Sequence, residues 1–191
     1  MTLSLTVQYA SKSKTLPSRA QVRRWALAGH RARADQRADE RGGESVVTIR
    51  YVDEAEARAL NRNFRGKDYA TNVLTFVHEP APSPLRGGPG RGSARNALGS
   101  SRKHPHPNPL ARGEETEPYA ADVVICAPVI AREAREQKKS AHEHHAHMVI
   151  HGMLHAQGFD HENDADATIM ETLETQILRR FRIKNPYDAD E

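Results

Sequence analysis

The segment HGMLHAQGFDH, residues 151–161, decides how the rest of the chain is interpreted. His151 and His155 are four residues apart, so on an α-helix both imidazoles lie on one face, about 6 Å apart along the axis. Gly158 favours the left-handed backbone that ends a helix and lets the chain turn back. The returning chain then brings His161 towards the other two histidines. The spacing therefore predicts a metal site on a helix and the turn that follows it.

Three neutral imidazoles suit zinc, and they leave one tetrahedral position open, which is typical of a catalytic site rather than a structural one. The register matches the long zinc motif H-E-x-x-H-x-x-G-x-x-H except at Gly152, where metallopeptidases carry the glutamate that acts as general base. We predict one zinc ion per chain, held by His151, His155 and His161, without the peptidase base. Zinc in such a site acidifies water near neutral pH.

Four further histidines precede this motif. A histidine-rich tract can bind metals adventitiously or form a solvated helix face. The glycine and the third histidine in register favour a built site for the motif itself. The upstream histidines are interpreted as helix surface or as support for the ligands; they are His142, His144, His145 and His147.

The composition is that of one domain with a proper core, because the chain has 191 residues, of which 37% are hydrophobic and 28% charged. A net charge of +3 is too small to identify a nucleic-acid partner. The single cysteine, Cys126, excludes an internal disulfide and is expected in the core. Residues 1–14 lack the apolar region of a secretory signal, and no later run is long enough to span a bilayer.

Hydrophobic periodicity predicts four strands and five helices. Two helices begin with capping-box patterns, Ser18 with Gln21 and Asp53 with Glu56. An apolar stripe at helical spacing, including Met170, Leu173 and Ile177, assigns the last helix to the core. The strands are expected at residues 3–9, 45–52, 73–77 and 122–126, and the helices at 18–37, 53–63, 128–139, 141–157 and 164–182.

Residues 80–118 differ in kind from the rest of the chain. They are rich in Pro, Gly, Ser and Arg and cannot bury enough apolar surface to offset the cost of ordering. We predict a disordered insertion within a single domain that spans residues 1–191. Its histidines, His104 and His106, are poor metal candidates because nothing holds them in place.

Taken together, these motifs resemble the YbeY family of rRNA-maturation endoribonucleases. Beside the histidine motif, the similar segments are Leu60-Asn61, FRGKD (64–68), TNVLTF (71–76), DVVIC (122–126) and AHMVI (146–150). The resemblance covers nearly the whole chain except residues 80–118. It implies an α+β fold, with a small mixed four-stranded sheet packed with about five helices and a zinc held by His151, His155 and His161.

The same resemblance implies a single-strand-specific endoribonuclease that matures the 3′ end of small-subunit rRNA and takes part in ribosome quality control. The implied partners are single-stranded RNA, the small ribosomal subunit and ribosome-associated proteins, with no membrane and a cytoplasmic location. In the family an arginine in the block that matches residues 64–68 matters for activity. That residue is Arg65 here, and it is expected to be catalytic and to face the phosphate.

Several assignments stay open at this stage. Arg65 could instead form a local ion pair with Asp68. The general base could be Asp160, the RNA 2′-hydroxyl or a water path, and Asp160 could also support a histidine N–H. Two other functions remain as alternatives, a zinc metallopeptidase and a non-catalytic ribosome-assembly factor with structural zinc.

Overall fold

The computed structural model describes residues 2–34, 43–78 and 118–188. These residues form a four-stranded mixed sheet and five helices, which confirms the predicted α+β class. In chain order the elements are β1 (Thr2–Tyr9), α1 (Arg19–Ala34), β2 (Glu44–Val52), α2 (Glu54–Arg65), β3 (Val73–His78), β4 (Ala120–Cys126), α3 (Ala127–Glu136), α4 (Ala141–Ala156) and α5 (Asp164–Arg179).

The sheet has the strand order β1-β2-β4-β3. β1, β2 and β4 run parallel, and β3 pairs antiparallel with β4 at one edge. Parallel neighbours need a long connection, and α1 provides it between β1 and β2. In the central strand β4, residues 123–126 are all buried, which explains why this strand is a continuous apolar run rather than an alternating one.

The larger core lies on the face of the sheet that α4 covers. Ile150, Met153 and Leu154 of α4 have no exposed surface and belong to the same cluster as Trp25 of α1 and Val123 of β4. α4 contacts five other elements, namely α1, α3, α5, β3 and β4. A helix so enclosed is a rigid support for any side chains that it presents at its end.

Helix α1 approaches α4 closely at Gly29. A β-carbon at this position would lie 2.8 Å from Cβ of Met153, a distance that real side chains do not reach. Beside this contact, Gln157 Nε2 donates to the carbonyl oxygens of Gly29 and Met153 at 2.9 and 2.8 Å. The C-terminal end of α4 is therefore fixed against α1.

The opposite face of the sheet carries a smaller core under α2. Its buried members include Leu74, Val124 and Cys126. The free cysteine is buried there, as expected for a small core residue. No helix in the three described ranges is long and apolar enough to cross a membrane.

The two capping-box predictions have different outcomes. The Ser18–Gln21 pair is confirmed, because Ser18 N–H donates to Gln21 Oε1 at 2.8 Å and Gln21 N–H donates to Ser18 Oγ at 3.3 Å. The Asp53–Glu56 pair is wrong, although α2 does start there. The Asp53 carboxylate accepts a hydrogen bond from Ser11 Oγ instead, and Glu56 accepts one from Arg50 Nε at 2.8 Å.

Two helices end earlier than predicted. α3 ends at Glu136 and α5 at Arg179. Shortly after each end a non-glycine residue takes a left-handed conformation, Lys138 with φ 52° and Arg182 with φ 60°, and this turns the chain out of the helix. The predicted end of the first helix at residue 37 and almost all of the predicted insertion at 80–118 lie outside the described residues.

Candidate metal centre

The motif histidines are presented by the last two turns of α4 and by the turn that follows. Ser140 and Glu143 form a reciprocal capping box that begins the helix, with hydrogen bonds of 2.9 and 3.2 Å. At the other end Gly158 takes a left-handed φ of 86°, and Phe159 N–H donates to the Leu154 carbonyl at 3.1 Å. The chain therefore reverses at the glycine, as the spacing predicted.

The reversal brings His151, His155 and His161 together. One ring nitrogen of each lies within 4.8 Å of the other two, and Nε2 of His151 is 3.1 Å from Nε2 of His155. Two nitrogens that share a tetrahedral zinc at bonds of about 2.0–2.1 Å lie about 3.3 Å apart. Two of the rings are half-buried and that of His161 is exposed. The donor set and its spacing fit a zinc ion.

The protonation of these rings also suits a cation. His151 Nδ1–H donates to the Glu174 carboxylate at 2.8 Å, so its lone pair is on Nε2, the nitrogen that faces His155. Desolvation, together with the neighbouring His151 and His161, lowers the pKa of His155 to about 4. His155 is therefore neutral near pH 7, which is the form that binds metals.

Glu174 is the residue at this centre that the sequence analysis missed. It comes from α5, has no exposed surface, and also accepts a hydrogen bond from His147 Nε2 at 2.9 Å. Burial by itself raises the pKa of Glu174, but the hydrogen bonds from His147 and His151 outweigh it and hold the pKa below its usual value. Its sequence signal was a charged residue inside the apolar stripe of α5, next to Leu173.

Asp160 has a different contact from the one expected of a supporting carboxylate. Its Oδ1 accepts the backbone N–H of His161 at 2.7 Å and so holds the turn rather than a histidine ring. The interaction with a ligand ring belongs to Glu174 instead. Asp160 nevertheless lines the cavity described next.

The three histidines face a cavity of about 660 Å³ between β3, α4, α5 and the end of α2. Arg65 lines the same cavity and is the one Lys or Arg among its described lining residues. The alternative ion pair with Asp68 is not formed, because Asp68 accepts hydrogen bonds from Arg58 at 2.8 and 2.7 Å. Within the described residues Arg65 has no ion pair, and its side chain is exposed.

Gly152 has a steric reason to be glycine. A β-carbon there would lie 2.5 Å from Cγ1 of Val123 and 3.4 Å from Oγ1 of Thr75. Val123 is fully buried in the central strand and cannot give way. The helix face that carries the catalytic glutamate in metallopeptidases is therefore pressed against the sheet, which leaves no room for that side chain.

The upstream histidines divide into three kinds. His142 is exposed, in agreement with a helix surface. That interpretation is wrong for His144 and His145, which are 3% and 0% exposed because α4 is enclosed on most sides. His144 Nε2 bonds to Glu133 at 2.7 Å, and Glu133 also accepts from Asn72 Nδ2 at 3.1 Å. His147 contacts the metal centre through Glu174.

The sequence of this chain is similar to those of a known protein family. The profile of the family described as "Endoribonuclease YbeY" matches residues 8–182. The endoribonuclease YbeY of Thiobacillus denitrificans is 43% identical over 187 residues, which cover 98% of this chain and 97% of that protein. That of Aromatoleum aromaticum is 42% identical over 188 residues, 97% of this chain and 92% of that protein.

A solved structure is also similar over most of the chain. The solution structure of TM1509 from Thermotoga maritima covers 97% of this chain and 97% of its own, with 19% identity and a TM-score of 0.49. This distant likeness adds no argument about the site.

Proposed function

This chain belongs to the endoribonuclease YbeY family, and we propose that it is a zinc-dependent endoribonuclease of rRNA processing that cuts single-stranded RNA. One zinc ion per chain is held by His151, His155 and His161. The observation that carries the proposal is the convergence of three imidazoles on one side of a cavity whose described lining contains a single cationic side chain, that of Arg65.

The charges around the cavity support a particular position for the phosphate. Four acidic residues line it, and they repel a phosphodiester from most of the surface. The positive charge comes from Arg65 and from the bound metal. The scissile phosphate is therefore drawn to the region between Arg65 and the three histidines. The acidic residues are Asp160, Glu162, Glu171 and Glu174.

Arg65 has the chemistry to act on that phosphate. A guanidinium donates two parallel hydrogen bonds to phosphate oxygens and stabilises the charge that develops there during cleavage. It lies at the end of α2, directly before Gly66, which takes a left-handed φ of 69°. When zinc is bound it supplies a Lewis acid for the phosphodiester and acidifies water.

The proton acceptor stays open between three groups. Asp160 is in the cavity, but one of its oxygens already accepts the His161 amide proton. The RNA 2′-hydroxyl and a chain of waters are the other two. His151 is not suited to this role, since its Nδ1 carries the proton donated to Glu174 and the lone pair of its Nε2 is the one proposed to bind zinc.

We assign the substrate and partners from the family resemblance. The substrate is the 3′ end of small-subunit rRNA, and the partners are the small ribosomal subunit and its associated proteins, in the cytoplasm. Residues 1–191 form one domain that carries the 80–118 insertion. A peptidase is disfavoured by the contact between Gly152 and Val123, which leaves no room for the required glutamate.

The test compares an end-labelled unstructured RNA with casein, before and after metal removal by a chelator. We expect RNA cleavage that is lost with the chelator and restored by zinc, and no cleavage of casein. His155→Ala should remain folded by circular dichroism, lose zinc in a metal analysis and lose RNA cleavage. Full cleavage by His155→Ala would contradict the proposal. If the wild-type protein cleaves no RNA and His155→Ala is unfolded, the result would favour the assembly factor with structural zinc.

A further inference from the structure

The carboxylate of Glu174 uses both oxygens to bind three side chains. Oε1 accepts from His151 Nδ1 at 2.8 Å, and Oε2 accepts from His147 Nε2 at 2.9 Å and from the hydroxyl of Tyr187. A carboxylate without any exposed surface is costly unless its oxygens are paired in this way. Packing alone would be better served by an apolar residue at this place in the stripe of α5.

Tyr187 reaches Glu174 because the segment after α5 is tied down. Lys139 Nζ donates to the Pro186 carbonyl at 2.8 Å, and Thr175 Oγ1 donates to Asn185 Oδ1 at 2.9 Å. These bonds fix the residues around Tyr187 against the start of α4 and the middle of α5. The tyrosine ring, 42% exposed, packs edge-on against the ring of His147, with centroids 5.7 Å apart.

We propose that Glu174 is the positioning residue of His151, and that Tyr187 and His147 hold the Glu174 carboxylate in the orientation this requires. The inference rests on the proposed metal centre and adds to it three residues from outside the histidine motif, Glu174, Tyr187 and His147. Glu174 keeps the His151 proton on Nδ1 and stops the ring from rotating, so that Nε2 faces His155 at 3.1 Å. The Tyr187 hydroxyl donates its hydrogen bond to the Glu174 carboxylate, so it does not take the place of either histidine as a donor.

The same atoms allow one rival arrangement. His147, His151 and Glu174 each offer a ligand atom within 4.8 Å of the others, so they could hold a second cation. His151 would then need both nitrogens as ligands, and its Nδ1 would have to give up the proton that it donates to Glu174. Hydrogen bonds satisfy all these atoms without that cost. The two arrangements differ in the number of zinc ions bound per chain.

The experiment measures zinc affinity by competition with a chromophoric chelator, zinc stoichiometry at saturation, and the visible spectrum of the cobalt-substituted protein. Glu174→Gln keeps the size of the side chain and removes its charge. We expect it to bind one zinc per chain about 10- to 100-fold more weakly and to alter the cobalt spectrum. Glu136→Gln, at an exposed acid of α3, is the control and should match the wild type.

A second variant tests the tyrosine and covers the case in which Glu174→Gln does not fold. Tyr187→Phe keeps the ring against His147 and removes the hydroxyl, so we expect zinc binding about two- to tenfold weaker. Tyr69→Phe, at an exposed tyrosine in the loop between α2 and β3, is its control. Wild-type affinity and spectrum in Glu174→Gln, or in Tyr187→Phe if Glu174→Gln is unfolded, would overturn the inference.

The failure of the metal centre itself gives a different result. If His155→Ala binds zinc like the wild type, the proposed function fails and the inference fails with it. If His155→Ala loses zinc and Glu174→Gln does not, only the positioning role fails. If the wild type binds two zinc ions per chain and Glu174→Gln binds one, Glu174 is a ligand of a second cation and not a positioning residue.

Discussion

The two sides of the cavity are built in opposite ways. The histidine wall, formed by His151, His155, His161 and Glu174, comes mostly from the enclosed helix α4 and the buried face of α5, and its carboxylate has no exposed surface. The arginine wall, formed by Arg65, Asn72 and Thr75, comes from the end of α2 and the edge strand β3, and Arg65 is exposed. The histidine lone pairs must already converge before a metal binds, so their wall has to be rigid. The exposed guanidinium of Arg65 can move onto a phosphate after the RNA has bound.

The largest expected effect separates the chemistry of the two walls. Arg65→Glu should lower kcat/KM on single-stranded RNA by about 10²–10³-fold, because a donor to the developing charge is lost and a repulsive charge is added. Zinc affinity should not change, since Arg65 does not contact the histidines. Arg62→Glu, an exposed arginine in the same last turn of α2, is the matched control. Equal losses in both variants would reduce the role of Arg65 to general attraction.

The enclosure of α4, the helix that carries most of the histidine wall, can be tested by pH. Burial lowers the pKa of His145 in α4 to about 4 in the folded protein, whereas in the unfolded chain it is near 6.5. The unfolded state therefore takes up the proton first, so stability is complete above pH 6.5 and falls as the pH decreases towards 4. The free energy of unfolding decreases by at most about 3 kcal/mol through this group.

Denaturant unfolding of the wild type and of His145→Phe between pH 7 and pH 4.5 measures this contribution. Phenylalanine keeps the edge contact with the Tyr51 ring, whose centroid lies 5.4 Å from that of His145. The variant should have the flatter pH profile. Because His155 titrates in the same range, only the difference between the two proteins is informative, and parallel profiles would show that His145 is not the source.

Behind the cavity, α4 packs closely on β4 at Gly152, and this contact can be broken directly. Gly152→Ala places a β-carbon 2.5 Å from Val123 Cγ1 and should lower the free energy of unfolding by about 1–3 kcal/mol. The second substitution Val123→Ala removes the clashing methyl groups. In the double variant the alanine at 152 should therefore cost much less than it does alone. Purely additive effects of the two substitutions would mean that the contact is relieved elsewhere.

The smallest effect is expected for the support of the arginine wall. Asn72 donates to Glu133 and accepts from Val73 N–H at 2.7 Å, so Asn72→Ala should cost about 1–2 kcal/mol of stability. We expect KM for RNA to rise and zinc affinity to stay constant. Asn63→Ala, at an exposed position of α2, should change neither. A loss of zinc in Asn72→Ala would show that the two walls are not independent.

The parts of this protein that were predictable from its sequence are those set by neighbours in the chain. The convergence of His151, His155 and His161 follows from one helix and one glycine turn, all within eleven residues. Glu174 meets His151 only because α5 packs on α4, and no spacing rule gives that contact. Arg65 was indicated by the family resemblance alone, because its position at the cavity depends on how α2 is placed relative to β3.

The failed capping box has the same physical origin. Asp53 and Glu56 have the right spacing, but Ser11, in the loop after β1, and Arg50, in β2, donate to the two carboxylates instead. The fold class was accessible because strand periodicity survives such competition, since it depends on many residues. A contact made by a single polar side chain, such as a capping box, does not survive this competition.

The left-handed turn at Gly158 makes the metal centre sensitive to chain length. Between His155 and His161 the chain has a fixed number of residues in which to leave the helix, reverse and return. Deletion or insertion of one residue there would shift the third imidazole by about 3.5 Å, more than a zinc–nitrogen bond. The number of residues in this segment thus sets the position of His161. A change in its length would harm the metal centre more than a change of a side chain within it.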